Sequence, residues 1–172
     1  MFIELHIETK HNLPKELEIV SIIRDLQLKY QTLPVFTQKV MIESGSTPHS
    51  HPALTLNTRE TDPLHILRIF LHEQFHWHAS GHQLYQPALS HLKTVYKDLG
   101  DCNLDGKHPD SFWIHLIVCW NTRNSLTKLI GEDELGKAYK DDHSYPLTEK
   151  FVVDNFEKLK LDLAKFDLVY EQ

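Results

Sequence analysis

The chain has no run of about 18 apolar residues, which excludes a membrane-spanning helix of the usual kind. It has only two cysteines, Cys102 and Cys119, among 172 residues, too few for a disulfide framework. It has no basic excess. Its 18 Lys and Arg face 24 Asp and Glu, a net charge of −6, which leaves no footprint of the kind that binds nucleic acid. The first residues, Met1-Phe2-Ile3-Glu4-Leu5-His6, lack the basic stretch followed by an apolar run that marks a signal peptide. Together with the few cysteines, this sets the expectation of a reducing, cytoplasmic setting. Repeats, low-complexity runs and linkers are also missing, so residues 1–172 are expected to form one domain.

What is present is apolar enough to fold. Hydrophobic residues make up 41% and charged residues 24%, the balance of a globular core with a solvated surface. The unusual component is histidine. There are 13, and His49, His51, His65, His72, His76, His78, His82 and His91 crowd into one stretch. Such crowding fits either a metal site or a histidine-rich surface, and spacing has to decide between them.

The apolar pattern changes period along the chain. Residues 2–8 alternate, as a half-buried strand does. Leu17, Val20, Ile23, Leu26 and Tyr30 predict a helix over 14–30, with Asn12 as its cap and Pro14 in its first turn. Residues 35–43 and 53–58 read as strands, separated by turn chemistry from Ser44 to Pro52. Helices are then expected over 63–80, 87–99, 111–130, 132–140 and 147–168. The expected class is α+β: a small sheet of about three strands in the N-terminal half, packed on a mainly helical C-terminal half. The 63–80 helix has the clearest ends, with Asp62 to cap it, Pro63 in its first turn and Gly81 to stop it.

Inside that helix stands His72-Glu73-Gln74-Phe75-His76, an H-E-x-x-H pattern. Residues four apart project from one helical face, so both imidazoles can reach one ion at ~2.0–2.1 Å. Glu73, about 100° further round the helix, can still contact a water at that ion, as a general base must. At the chain's own histidine and glutamate frequencies, the bare pattern arises by chance in roughly 7% of such sequences. Its place in a helix made apolar by Leu67, Phe70, Leu71 and Phe75 strengthens it, because buried polar groups need partners.

These residues resemble the zincin metallopeptidases, in strict motif over 72–76 and in layout over roughly 53–120. The resemblance implies one zinc ion held by His72 and His76, with Glu73 as base. It also implies a strand just before the metal helix whose edge pairs with an extended substrate, and 53–58 stands in that place. Three histidines compete to be the third ligand. His82 has the metzincin spacing, but Ala79 stands where that pattern has glycine and no Met-turn follows. His108, in His108-Pro109-Asp110-Ser111-Phe112-Trp113, resembles the third-histidine region of SprT-like proteins, although the gap from His76 is long. His115 lies in Phe112-Trp113-Ile114-His115-Leu116-Ile117-Val118-Cys119-Trp120, a helix apolar all round in which an imidazole must find a partner. His115 is preferred; a core histidine bonded to a carbonyl or carboxylate is the plain alternative. The pairing of His-Glu-Gln-x-His-Trp with a later His-Leu-Ile-Val-Cys-Trp is also similar to a set of uncharacterised bacterial proteins. Those carry an acidic residue soon after the tryptophan, whereas this chain has Asn121-Thr122-Arg123.

Weaker signals read as ordinary structure. Asp101-Cys102-Asn103-Leu104-Asp105-Gly106 starts like an EF-hand loop, but its twelfth position is Phe112 instead of glutamate, so it is a polar turn. His49 and His51 read as loop histidines and His65 as a packing residue. His78 is placed on the far side of the metal helix, and Trp77 and Trp120 in the core. Cys119 reads as a small buried hydrophobe. Tyr139 and Tyr145 are candidate oxyanion donors that spacing does not separate, and Asp141-Asp142 is an inter-helix loop. The expected function is zinc-dependent hydrolysis of a peptide bond in a peptide or protein substrate, with no nucleic-acid or membrane partner. The alternatives are a metal-holding protein without catalysis and a helical interaction module without metal.

Overall fold

The computed structural model describes residues 3–99, 109–140 and 144–171. It is α+β, as the pattern predicts. Strand β1 (His6–Thr9) leads through helix α1 (Pro14–Lys29) to β2 (Lys39–Ile42) and β3 (Leu54–Leu56). Helices follow: α2 (Pro63–Gly81), α3 (Tyr85–Val95) with a 3₁₀ turn at Lys97–Leu99, α4 (Pro109–Ile130), α5 (Glu132–Ala138), α6 (Pro146–Asp154) and α7 (Phe156–Ala164). Among the described residues, no helix is long and apolar enough to cross a membrane.

The sheet runs β1-β2-β3 with both pairings parallel, Ile7 opposite Val40 and Met41 opposite Thr55. The turn-rich stretch between β2 and β3 is therefore not a hairpin. It carries the chain back so that β3 starts in the same direction as β2. The strands are shorter than the apolar pattern predicts, and β2 shows why. The amides of Phe36 and Thr37 donate to Gln74 Oε1, at 2.7 and 2.9 Å, instead of entering the sheet. Gln74 Nε2 donates back to the Thr37 carbonyl at 2.9 Å. This fully buried amide thus replaces three strand bonds and ties the approach to β2 onto α2.

Helix α1 is not capped by Asn12, which instead takes the left-handed conformation at φ 54°. The buried Glu16 does the work, accepting the amides of His11 (2.9 Å), Leu13 (3.2 Å) and Ser44 (2.9 Å). Burial pushes its carboxyl up, but those amides outweigh it and hold the group below the usual carboxylate range. Asp62 caps α2 as predicted, accepting from the amides of Leu64 and His65 at 3.0 Å. Gly81 does not stop the helix: it is the last helical residue, and His82, in extended conformation, ends it. The helix predicted over 147–168 is two, α6 and α7. They meet at Asn155, whose backbone leaves the helical conformation (φ −122°, ψ 23°) while its main-chain and side-chain amides both donate to the Phe151 carbonyl at 3.0 Å.

Two apolar clusters result. One lies under the sheet, between α1 and α2, around Ile19, Ile23, Ile42, Leu56, Leu67 and Phe70. The other joins α3, α4, α6 and α7 around Leu92, Trp113, Leu116, Trp120, Val152 and Leu163. Helix α4 passes between them, with Leu116, Ile117, Val118, Cys119 and Trp120 all fully buried, so it is apolar all round for the reason expected. Trp120 closes the helical cluster by donating to the Phe156 carbonyl at 2.8 Å. The buried Asp162 fastens α7 to α3, accepting from His91 Nε2 (3.0 Å), Tyr96 Oη (3.0 Å) and Lys165 Nζ (2.8 Å).

Two outcomes follow. Gln74→Ala strands two buried amides and a carbonyl, so it should cost about 3 kcal/mol and lower Tm by roughly 6–12 °C for a chain of this size. Thermal unfolding followed by circular dichroism checks this, and an unchanged Tm would show that the clamp contributes nothing. Burial raises the Asp162 carboxyl, but the bonds from His91, Lys165 and Tyr96 outweigh it and hold it at about 2. The unfolded group titrates near ~3.9. Its folded value is depressed, so its stabilisation is present above ~4 and is lost as pH falls towards 2. Asp162→Asn should therefore be less stable than wild type at neutral pH, and the gap should close between about pH 4 and 2 in denaturant titrations.

Candidate metal centre

His72 and His76 stand one turn apart on α2, and His115 faces them from α4. Ligating nitrogens of the three all lie within 4.8 Å of one another. The ring centroids are 5.0 Å apart for His72–His76, 5.3 Å for His72–His115 and 4.9 Å for His76–His115. His72 and His115 are buried, and His76 keeps some exposure on the open side. Among the described residues, this group could hold a metal ion; its identity is a separate matter. Nitrogens on one tetrahedral zinc stand roughly 3.4 Å apart, within reach by small ring rotations.

The donor chemistry fits an ion. His115 Nδ1 lies 2.5 Å from the Ser111 carbonyl oxygen, one turn earlier on α4. A carbonyl only accepts, so Nδ1 carries the proton and Nε2 carries the lone pair. That is how proteins commonly orient an imidazole ligand. The environment also keeps His76 unprotonated. Burial, then the neighbouring His115 and His51, push His76 down to about 3. An imidazole that stays neutral at ordinary pH is the form that binds metal.

Glu73, the residue after His72 on α2, is buried as well. Burial raises its carboxyl to about 8, and the nearby Arg68 guanidinium only partly offsets this. Arg68, His72 and His76 follow one another at four-residue spacing along α2, a polar stripe on an otherwise apolar helix. Arg68 lies 5.5 Å from the centroid of the Tyr139 ring, and Arg123 of α4 lies 5.7 Å from the same ring. His72 and His76 meet His115, while Arg68 and Arg123 meet at Tyr139. The two helices therefore run in opposite directions, with their polar stripes facing.

Tyr145, just before α6, stacks on His115 at 3.9 Å and lies nearly parallel to His72 at 5.6 Å. Of the two candidate tyrosines, this is the one at the centre; Tyr139 sits among the arginines. His82 is elsewhere. Its Nδ1 accepts the Leu84 amide at 3.3 Å and its ring neighbours His78, 6.2 Å away. His78 packs against Phe36 and Tyr170 on the other side of α2. His65 is not in the three-histidine group either. His108, the turn at 101–106 and Asp141-Asp142 lie outside the described residues. Trp77 is not a core residue: half-buried, it donates Nε1 to the Ser50 carbonyl at 2.7 Å, and His51 stacks on it at 4.2 Å. Asn121 has a structural task. It donates to the Ile117 and Leu168 carbonyls and accepts the Tyr170 amide.

Sequence reasoning missed the Ser111 carbonyl, because main-chain acceptors leave no residue signature. It also missed the approach of Arg68 to Glu73, although its place four residues before His72 was a usable signal.

If the three histidines act together, the chain should take up one divalent transition-metal ion. His72→Ala, His76→Ala and His115→Ala should each weaken that uptake by more than about 100-fold, and His82→Ala should not. Titration with Co²⁺ or Zn²⁺ measures this, and wild-type affinity in His115→Ala would remove α4 from the centre. No family model, curated protein or solved structure matches this chain.

Proposed function

We propose that the centre belongs to a zinc-dependent hydrolase, a metallopeptidase in which His72, His76 and His115 hold the ion and Glu73 is the general base. The observation that carries this is the convergence of three imidazoles on α2 and α4 with a buried carboxylate one residue along the same helix. Zinc held there supplies Lewis acidity, polarising a carbonyl oxygen and lowering the pKa of water. Glu73 takes a proton from the attacking water as its oxygen bonds the carbonyl carbon. It returns that proton to the leaving nitrogen as the C–N bond breaks. Ser111 fixes the tautomer of His115 through its carbonyl. Tyr145 covers His115 and His72, keeping that side of the centre dry.

A second reading is a metal-holding protein without catalysis. One feature favours it: the outer edge of β3, where an extended substrate would pair, already carries the chain's own His49, which bonds Thr55 in both directions.

Glu73→Gln separates the two. It keeps the shape and removes the base, so metal affinity should stay within a few-fold of wild type. Peptide hydrolysis should fall by about 10²–10⁴-fold, the usual worth of a positioned base. Hydrolysis that survives this change at the wild-type rate excludes Glu73 as the base.

A further inference from the structure

We propose that residues 47–52 form a strap occupying the place of an extended peptide at the outer edge of β3, and that it must lift before such a peptide can reach the centre. The proposal rests on the hydrolase reading above. Alternate residues of a strand turn their polar groups to opposite sides. Leu56 gives its carbonyl to the Glu43 amide, inward. Thr55 therefore turns its own amide and carbonyl outward, and His49 takes both. The Thr55 amide donates to the His49 carbonyl at 2.7 Å, and the His49 amide donates to the Thr55 carbonyl at 3.1 Å. This antiparallel pair has the bonds that a peptide makes when it adds to a sheet edge.

The strap then runs towards the metal ligands. Ser50 accepts from Trp77 Nε1 at 2.7 Å, and the His51 ring lies on the Trp77 indole at 4.2 Å, tilted by 21°. His51 Nε2 is 3.4 Å from Ser80 Oγ. Trp77 and Ser80 follow His76 by one and four positions, so the strap ends on the helix surface beside that ligand. The path from the Thr55 edge to His76 is the one an extended substrate would need.

The strap is held by contacts that can open. Thr47-Pro48-His49-Ser50-His51-Pro52 contains no large aliphatic side chain, and His49, His51 and Pro52 are exposed. It buries nothing comparable to Leu54 or Leu56, both fully buried in the adjoining strand. Segments held by a few polar contacts open locally at far lower cost than the core.

Two changes test this in the full-length protein. A His49→Cys/Thr55→Cys double variant places cysteines at the paired positions, where antiparallel partners stand about 5.5 Å apart, within disulfide reach. Trp77→Phe removes the bond to Ser50 and keeps an aromatic ring. Cleavage of fluorescently labelled casein should fall at least tenfold when the disulfide forms and recover on reduction. In Trp77→Phe it should rise roughly twofold to tenfold, the worth of one hydrogen bond. Zinc affinity should be unchanged throughout. Equal cleavage by the oxidised and reduced forms overturns the strap. If no form cleaves casein, the hydrolase reading fails, and amide exchange in wild type judges the strap's motion by itself. The Thr55 amide should exchange at least about 100-fold faster than the amides of β2, and faster again in Trp77→Phe. Thr55 exchange as slow as that of β2 overturns the proposal.

Discussion

The burial of three imidazoles between two helices is the constraint on which the rest of the molecule depends. An unpartnered buried polar group costs several kcal/mol in an apolar medium, so a helix carrying His72 and Glu73 cannot simply be pressed into a core. The chain meets this by pairing polar stripes. Arg68, His72 and His76 on α2 face Ser111, His115 and Arg123 on α4, and apolar side chains close both flanks. Leu116 through Trp120 are buried without exception, so α4 is packed on every face, and His115 is the residue it turns to His72 and His76. A one-residue slip of α4 would swing that imidazole by about 100° and leave it among aliphatic groups.

Rigid helices need rigid neighbours if ligand atoms are to stay within a few tenths of an ångström. Side-chain amides and carboxylates supply this by binding main-chain groups of loops. Gln74 holds the approach to β2, and Glu16 holds the ends of β1 and β2 together. Asn121 draws the C-terminal tail along α4, which brings Tyr170 onto Phe36, Phe75 and His78. The tail thus seals the face of α2 opposite the centre. Polar residues within the helical motif region therefore divide the labour: His72 and His76 face His115, while Gln74 locks the helix to the sheet.

The sequence made some of this legible. Periods of two and of 3.6 located the sheet and the helices, because half-buried strands and packed helices leave those periods. His115 stood out because an imidazole inside an all-apolar helix is costly unless it is used. The failures have a common physical origin. The helix over 147–168 kept its apolar period across Asn155, but the backbone leaves the helical conformation there, at φ −122° and ψ 23°. Gly81 looked like a stop because glycine often ends helices, but no left-handed turn was needed there. The parallel pairing of β2 and β3 and the seating of His49 on Thr55 depend on main-chain bonds between distant segments, which composition does not encode. Tyr145 could not be separated from Tyr139, because both lie on or near short helices with no periodic signal of their own.

Charge supplies a last step. The centre has three imidazoles, of which His76 is kept neutral by burial and by its neighbours, and one carboxyl that burial raises to about 8. Left alone, burial favours the uncharged forms of His76 and Glu73, and Arg68 is too weak a counter-charge to reverse this for Glu73. A divalent cation between the histidines changes the balance. It leaves the imidazoles neutral and bound, and it makes the ionised form of the adjacent carboxylate favourable again. The ionisation of Glu73 would then depend on whether the histidines hold such an ion. A carboxylate in water would respond far less to a neighbouring ion, because the high dielectric weakens their attraction, so the size of such a coupling is set by the packing of α2 against α4 and not by the motif alone.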